Sequence, residues 1–169
     1  EICKLETLET AIEATLTGHL VLSTLHTHGS VATLTRLLEM GVEPYLLSSS
    51  INAILAQRLV RRSCEGCRRS VPLTDKHRPL FGANPPETLL PGTGCPDCRG
   101  IGYRGRVGVF ELLTLNSELR RLMQNRASED EILAVARVNG LSTLREEAIQ
   151  LVREGVTTIE EIRRVFHEL

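Results

Sequence analysis

From Leu5 to Leu16 apolar side chains recur at positions 5, 8, 12 and 16, the step of a helix, and Gly18 closes it. The next run, His19 to Leu25, is short and nearly continuously apolar, which predicts a buried strand of an α/β sheet. His26-Thr27-His28-Gly29-Ser30 follows as a polar loop at the carboxyl end of that strand, where α/β folds place ligand chemistry. A helix is expected from about Val31 to Met40, stopped by Gly41. Pro44 opens a longer one, with Leu46, Leu47, Ile51, Ile54, Leu55 and Leu59 on its apolar face, running into Arg61-Arg62. Further on, the glycine-punctuated turn Gly100 to Arg106 leads into a strand over Val107 to Leu113.

The remainder carries helix start signals at regular intervals. Asn116 can cap one helix, while Ser128 with Glu131, Thr143 with Glu146 and Thr158 with Glu161 have capping-box spacing. Gly140 and Gly155 end the helices between them, so residues 115–169 should form a bundle of short helices. The chain shows no internal repeat and no low-complexity segment.

At 169 residues and 41% hydrophobic, the chain can build one good core and a satellite subdomain. No apolar run approaches the roughly 18 to 20 residues of a membrane span, so any membrane attachment should run through partners. Twenty basic residues against 21 acidic ones argue against a general polyanion binder. Aromatic content of 3% without Trp argues against a stacking platform for single-stranded nucleic acid. Only Lys4 and Lys76 are lysines, and the arginine excess suits planar contacts to carboxylates or phosphates. The chain begins at Glu1 rather than Met, which leads us to expect a fragment whose N-terminal part is missing.

Four of the five cysteines form two Cys-x-x-Cys pairs, Cys64 with Cys67 and Cys95 with Cys98. Each pair has the spacing of a metal knuckle, and two knuckles supply the four sulfurs of a structural zinc site. The 27 residues between the pairs, 68 to 94, have little apolar periodicity, so a metal is a source of stability there. Two disulfides, or unrelated thiols, are the alternatives. Zinc is favoured over them because neither a signal peptide nor further scattered cysteines suggest an oxidising compartment. Cys3 is read as a small buried apolar residue.

His19 and His26 bracket the first strand seven residues apart, an odd offset that makes them poor candidates for a shared metal. His26 lies beside Thr24 and Thr27 at the carboxyl end and can donate a hydrogen bond to a phosphate oxygen. The plainer alternative is a capping histidine in a polar loop.

Gly18-His19-Leu20-Val21-Leu22-Ser23-Thr24-Leu25-His26-Thr27 resembles the histidine box of the ATPases that drive bacterial type II secretion and type IV pilus assembly, the GspE/PilB-like secretion ATPases. The likeness continues in order through Arg36 to Pro44, Ala56 to Arg62, the four-cysteine insertion, Gly102 to Glu111 and Gly155 to Glu161. It covers essentially the whole chain. The zinc insertion is more like the secretion and pilus-extension members than the retraction ATPases.

This resemblance implies an α/β fold: the C-terminal part of a RecA-like P-loop ATPase core with a four-cysteine zinc insertion and a C-terminal helical bundle. The organisation it suggests is 1–62 for the core, 63–105 for the zinc subdomain, 106–114 for a return strand and 115–169 for the helical subdomain. It implies a homo-hexamer on the cytoplasmic face of the inner membrane. There ATP and Mg²⁺ drive assembly of a pilin-like filament, alongside platform and cytoplasmic-ring proteins. By position Glu1 falls on the Walker B glutamate, which polarises attacking water or helps hold Mg²⁺. His26, and less directly His19, fall on the residues that sense the γ-phosphate, and Cys64, Cys67, Cys95 and Cys98 fall on the zinc ligands. Arg104 and Arg106 flank Gly105, and we expect one of them, with Arg106 favoured, to reach the nucleotide or a neighbouring subunit. The alternative is a surface arginine bonded to local carbonyls.

The chain departs from the family in having Cys3-Lys4 where Arg-Asp is usual. It also holds nothing matching G-x-x-x-x-G-K-[ST], the loop that cradles phosphates, so no ATP turnover is expected from this chain alone. A reading of a different class is a zinc-stabilised, non-catalytic interaction module docking on an inner-membrane platform protein. A nucleic-acid-binding zinc ribbon would rest only on the cysteines with Arg61, Arg62, Arg68 and Arg69, and the charge balance and scarce aromatics speak against it.

Overall fold

The computed structural model describes residues 1–166. Helices α1 (Leu5–Leu16), α2 (Ser30–Glu39) and α3 (Pro44–Ser50) come first, followed by strand β1 (Ala53–Ser63). Two short strands, β2 (Val71–Pro72) and β3 (Thr88–Leu89), flank a 3₁₀ segment at Asp75–Phe81, and a second 3₁₀ turn covers Pro96–Cys98. Strand β4 (Tyr103–Thr114) and helices α4 (Ser117–Gln124), α5 (Glu129–Val138), α6 (Leu144–Arg153) and α7 (Ile159–Phe166) complete the order. β1 pairs with β4, and β2 pairs antiparallel with β3 in the register Val71 to Leu89 and Pro72 to Thr88.

The chain divides into two compact units, Glu1–Ala56 with Glu111–Ser142, and Gln57–Phe110 with Thr143 onward. In the first, Leu8, Ile12, Leu34, Leu47, Leu119, Met123 and Ile132 are buried in one apolar cluster contributed by α1 to α5. In the second, Val60, Val109, Leu144, Ala148, Val152, Ile159 and Ile162 are buried. The predicted starts of the later helices are realised as real bonds. The Asn116 side chain accepts from the Leu119 amide at 2.9 Å, and Ser128 with Glu131 and Thr143 with Glu146 close reciprocal capping boxes. Helices α4 and α5 belong to the first unit, α6 and α7 to the second.

The long helix expected from Pro44 to Leu59 does not form. α3 stops at Ser50, and Ile51 turns to extended backbone with ψ 127°. The Ser48 and Ser49 hydroxyls donate back to the carbonyls of Tyr45 and Leu46 at 2.9 Å each, a local competition that weakens a helix. The freed end is satisfied from α4: Arg120 donates to the Ser48 carbonyl, and Gln124 Nε2 donates to Ser48 Oγ at 2.8 Å. Residues 53–63 then run as a strand.

His19 to Leu25 forms no regular secondary structure and joins no sheet among the described residues. Contrary to the expectation of a buried strand, Leu20 and Leu22 are 82% and 87% exposed. Such a run is covered on both faces only where neighbouring strands and helices flank it; here the Ile2 amide donates to the Thr24 carbonyl at 2.9 Å, and no strand flanks the run among the described residues. Leu25 and Ile2 pack against the apolar cluster of the first unit.

Candidate metal centre and histidine loop

In the second unit the chain enters the first knuckle from the end of β1. Two amides, those of Cys67 and Arg68, donate to the Cys64 carbonyl at 3.2 and 2.9 Å, the tight turn that aims both thiols to one side. The second knuckle is the Pro96–Cys98 turn, closed by Arg99 in the left-handed region at φ 53°. The two knuckles are joined by backbone bonds, the Cys64 amide donating to the Gly102 carbonyl at 2.9 Å and the Thr93 amide to the Cys67 carbonyl at 3.1 Å, and the segments entering and leaving the second knuckle approach as closely as only glycine permits. A Cβ on Gly102, which sits at φ +75°, would lie 2.4 Å from the Gly92 carbonyl oxygen.

The result is a cluster of four sulfurs within 4.8 Å of one another, with Cys64, Cys67 and Cys98 buried and Cys95 half-buried. Sγ separations are 3.8 Å for Cys64 to Cys95, 3.8 Å for Cys67 to Cys98 and 3.7 Å for Cys95 to Cys98. Four sulfurs at about 2.3 Å from a central ion in tetrahedral geometry lie about 3.8 Å apart, so the set fits a four-thiolate metal. It does not fit disulfides, whose sulfurs stand about 2.05 Å apart, and all five cysteines are free.

Backbone amides are aimed at the sulfurs as well. Gly94 donates to Cys67 Sγ at 3.2 Å, and Cys95 and Gly102 donate to Cys98 Sγ at 3.1 and 3.3 Å. Burial opposes ionisation of Cys98, but these two amides outweigh it and lower the thiol to about 6, while burial pushes Cys64 up to about 11. The cluster can therefore hold a metal ion, and its amides would stabilise thiolate charge around it.

In the first unit the structure brings Glu1 and His26 together. His26 Nε2 lies 3.0 Å from Glu1 Oε1, with the side chains 94% and 43% exposed. His19 does not join them: its Nδ1 lies 3.2 Å from the Ala14 carbonyl and 3.1 Å from Thr17 Oγ1, at the carboxyl end of α1. It is a capping histidine. Thr27, beside His26, is turned inward, its Oγ1 2.7 Å from Thr33 Oγ1 and bonded to the Gly29 carbonyl at 3.4 Å. Cys3 is exposed rather than buried, because it lies on the open segment beside Glu1, whose carboxylate raises its thiol. In the second unit Arg106 is exposed on β4, and its side chain has no hydrogen-bond partner among the described residues.

Two carboxylates have partners that the sequence reading did not foresee. Glu111, in the first unit, is 6% exposed and accepts from the Ser30 amide at 2.6 Å and from Ser30 Oγ at 2.5 Å. Glu161, in the second, is fully buried between Arg61 and Arg164. Glu111 carried a legible signal: it is the only acidic residue in the apolar strand Val107 to Leu113, and such a group needs a partner.

Residues 1–164 match the family described as Type II/IV secretion system protein, and the chain belongs to that family. It is 46% identical to type II secretion system protein E of Pseudomonas aeruginosa, covering 99% of this chain and 34% of that protein. It is 44% identical to type II secretion system ATPase E of Vibrio cholerae, again over 99% of this chain and 34% of the relative. The type IV pilus assembly ATPase PilB of Myxococcus xanthus is 42% identical over 96% of this chain and 30% of its own length. The chain thus spans about a third of the length of the relatives it matches. Among solved structures, the pilus retraction motor PilT with bound ADP superposes with a TM-score of 0.62 at 25% identity, over 97% of this chain and 37% of PilT. The Legionella pneumophila ATPase DotB, at 21% identity and a TM-score of 0.60 over 97% of this chain and 36% of DotB, shares the fold. No helix among the described residues is long and apolar enough to cross a membrane.

Proposed function

We propose that this chain is the C-terminal part of a hexameric ATPase that powers type II secretion or type IV pilus assembly, coupling ATP hydrolysis to extension of a pilin-like filament. The observation that carries this reading is the Glu1–His26 pair. Two residues 25 positions apart, matched by resemblance to the Walker B glutamate and the histidine box, meet at 3.0 Å on an open surface. In the complete enzyme ATP and Mg²⁺ supply the phosphoryl chemistry. Glu1 offers a carboxylate to orient water or a hydrated cation, and His26 offers an N–H to a terminal phosphate oxygen. Arg106, exposed and without a partner among the described residues, is the cation available to a nucleotide or a neighbouring subunit. His19, committed to the end of α1, acts only through the segment that leads to His26.

The four cysteines bind a structural zinc ion that holds the segment between the knuckles, and take no part in phosphoryl transfer. The partners are further copies of the same chain, an inner-membrane platform protein and a cytoplasmic ring. The protein is cytoplasmic, peripheral at the inner-membrane face through those partners, and has no nucleic-acid ligand.

The test is His26→Ala in the protein that joins this chain to a P-loop half. Turnover should fall about a hundredfold, the usual size of a lost transition-state contact, with melting temperature and zinc content unchanged. The 169-residue chain by itself should not hydrolyse ATP. Robust hydrolysis by the isolated chain, or full turnover by the His26→Ala enzyme, would overturn the reading.

A further inference from the structure

We propose that Glu111 is a positioning residue for the phosphate-facing loop: its buried carboxylate, bonded to the first turn of α2, fixes the backbone from which His26 projects. The inference rests on the reading of His26 given above and adds a residue to which that reading assigned nothing.

Residues 26–29 form the loop between the segment at 19–25 and α2, and a loop is the part of a fold least able to hold a side chain still. Two fastenings oppose this, and both lie in the first unit. The first is local: Thr33 Oγ1 donates to the Gly29 carbonyl at 2.8 Å and meets Thr27 Oγ1 at 2.7 Å, which ties the middle of the loop to the first turn of α2. The second is long-range. Glu111 reaches across from β4, 81 residues away, and accepts from both the amide and the hydroxyl of Ser30.

A carboxylate at a helix N-terminus satisfies an otherwise orphan N–H and interacts with the positive end of the helix dipole. The approach is close on the neighbouring residue too: a Cβ on Gly29 would lie 3.3 Å from Glu111 Oε1. Glycine at 29 lets the carboxylate sit against the loop. The position a phosphate would take at this helix N-terminus is therefore held by the protein's own anion. Contact with nucleotide from this loop must come from side chains projecting outward, and His26, 94% exposed, does so, as does the exposed His28. Glu111 touches no reacting group; it acts through the loop.

The experiment compares Glu111→Ala and Glu111→Gln. The alanine variant removes the acceptor, whereas glutamine keeps a carbonyl oxygen at the same reach. Hydrogen exchange is read by NMR on the 169-residue chain. The Ser30 amide should lose about tenfold or more of its protection in Glu111→Ala and about half of that or less, on a logarithmic scale, in Glu111→Gln, with the α6 and α7 amides unchanged. If the alanine variant does not fold, the glutamine variant carries the test through its smaller loss at Ser30.

In the protein joined to its P-loop half, Glu111→Ala should lower kcat about tenfold with KM for ATP within about twofold, and Glu111→Gln should restore most of it. Unchanged Ser30 protection overturns the proposal. So does a loosened loop with full turnover in an enzyme that His26→Ala still disables. If His26→Ala itself had no effect, the functional reading would fall, and Ser30 protection alone would decide whether Glu111 holds the loop.

Discussion

Glu161 offers the sharpest quantitative test of the second unit. Its carboxylate is fully buried and receives bonds from both sides. Arg61 donates from its amide at 2.9 Å and from Nε at 2.8 Å, and Arg164 donates from Nε at 2.8 Å and Nη2 at 2.7 Å. Arg61 is further pinned by the Tyr103 ring, 4.2 Å from its guanidinium carbon, and Tyr103 OH lies 2.7 Å from Thr158 Oγ1. Burial alone would push the carboxyl up, but the bonds from Arg164 and Arg61 overcome it and hold the group at about 2, against an ordinary 4.5.

That difference corresponds to roughly 3 kcal/mol of stability. The arginines are 39% and 56% exposed, so solvent screening trims the value to roughly 2 kcal/mol. Because the folded value is depressed, this stability is fully present above about pH 4.5 and is lost as pH falls through about 2. Glu161→Gln should therefore cost about 2 kcal/mol in urea unfolding at pH 7, followed by far-UV circular dichroism. The gap from the parent chain should narrow as pH falls toward 2. Hydrogen exchange should show α7 loosened first. A loss under about 0.5 kcal/mol at pH 7, or a gap that does not change with pH, would refute the reasoning.

Metal analysis of the purified chain should give one zinc per chain, and Cys95→Ser should abolish it and open the 64–98 segment to protease; a zinc-free protein with undiminished protease resistance would contradict the site. In the protein with its P-loop half, Arg106→Ala should lower turnover about tenfold with little change in melting temperature, and unchanged turnover would make Arg106 a surface side chain only. Thr143→Ala, which removes the hydroxyl that accepts from the Glu146 amide and leaves the Thr143 amide to Glu146, should cost about 1 kcal/mol in urea unfolding, and a cost near zero would show that the hydroxyl side of the box contributes nothing measurable.

Elements whose bonds close within a few residues were the legible ones. The caps at Asn116, Ser128 and Thr143 join groups three residues apart, so residue type and spacing suffice to place them. The stretch from Ile51 to Leu59 was not legible in that way, because it satisfies two periods at once. Ile51, Ile54, Leu55 and Leu59 fit a helix stripe, while half-buried Ile54, Ala56 and Arg58 with buried Val60 alternate with exposed Leu55, Gln57 and Leu59 as a strand does. Tertiary bonds decided it: Arg120 and Gln124 of α4 take over the end of α3. The run from Leu20 to Leu25 reads as a strand covered on both faces, yet apolarity only states a demand for cover. What meets the demand is set by other segments.

The same distinction separates the candidate site residues. The cysteine quartet was legible because each knuckle is local and four like ligands with one coordination geometry can only converge on one point. Thr158 with Glu161 shows the opposite. The Glu161 amide does donate to Thr158 Oγ1, at 3.2 Å, as the spacing predicts. The carboxylate, however, leaves the box for Arg61, 100 residues distant, and for Arg164. The box offers the carboxylate a single backbone N–H, whereas two arginines offer oppositely charged groups with several donors, so here the long-range partner wins. Glu111 follows the same rule with Ser30. A sequence can thus announce that an acid placed in an apolar strand must be satisfied, but the partner is chosen by topology. For Glu111 that choice falls on the helix beside His26, which is what turns a buried carboxylate into a residue with consequences for the site.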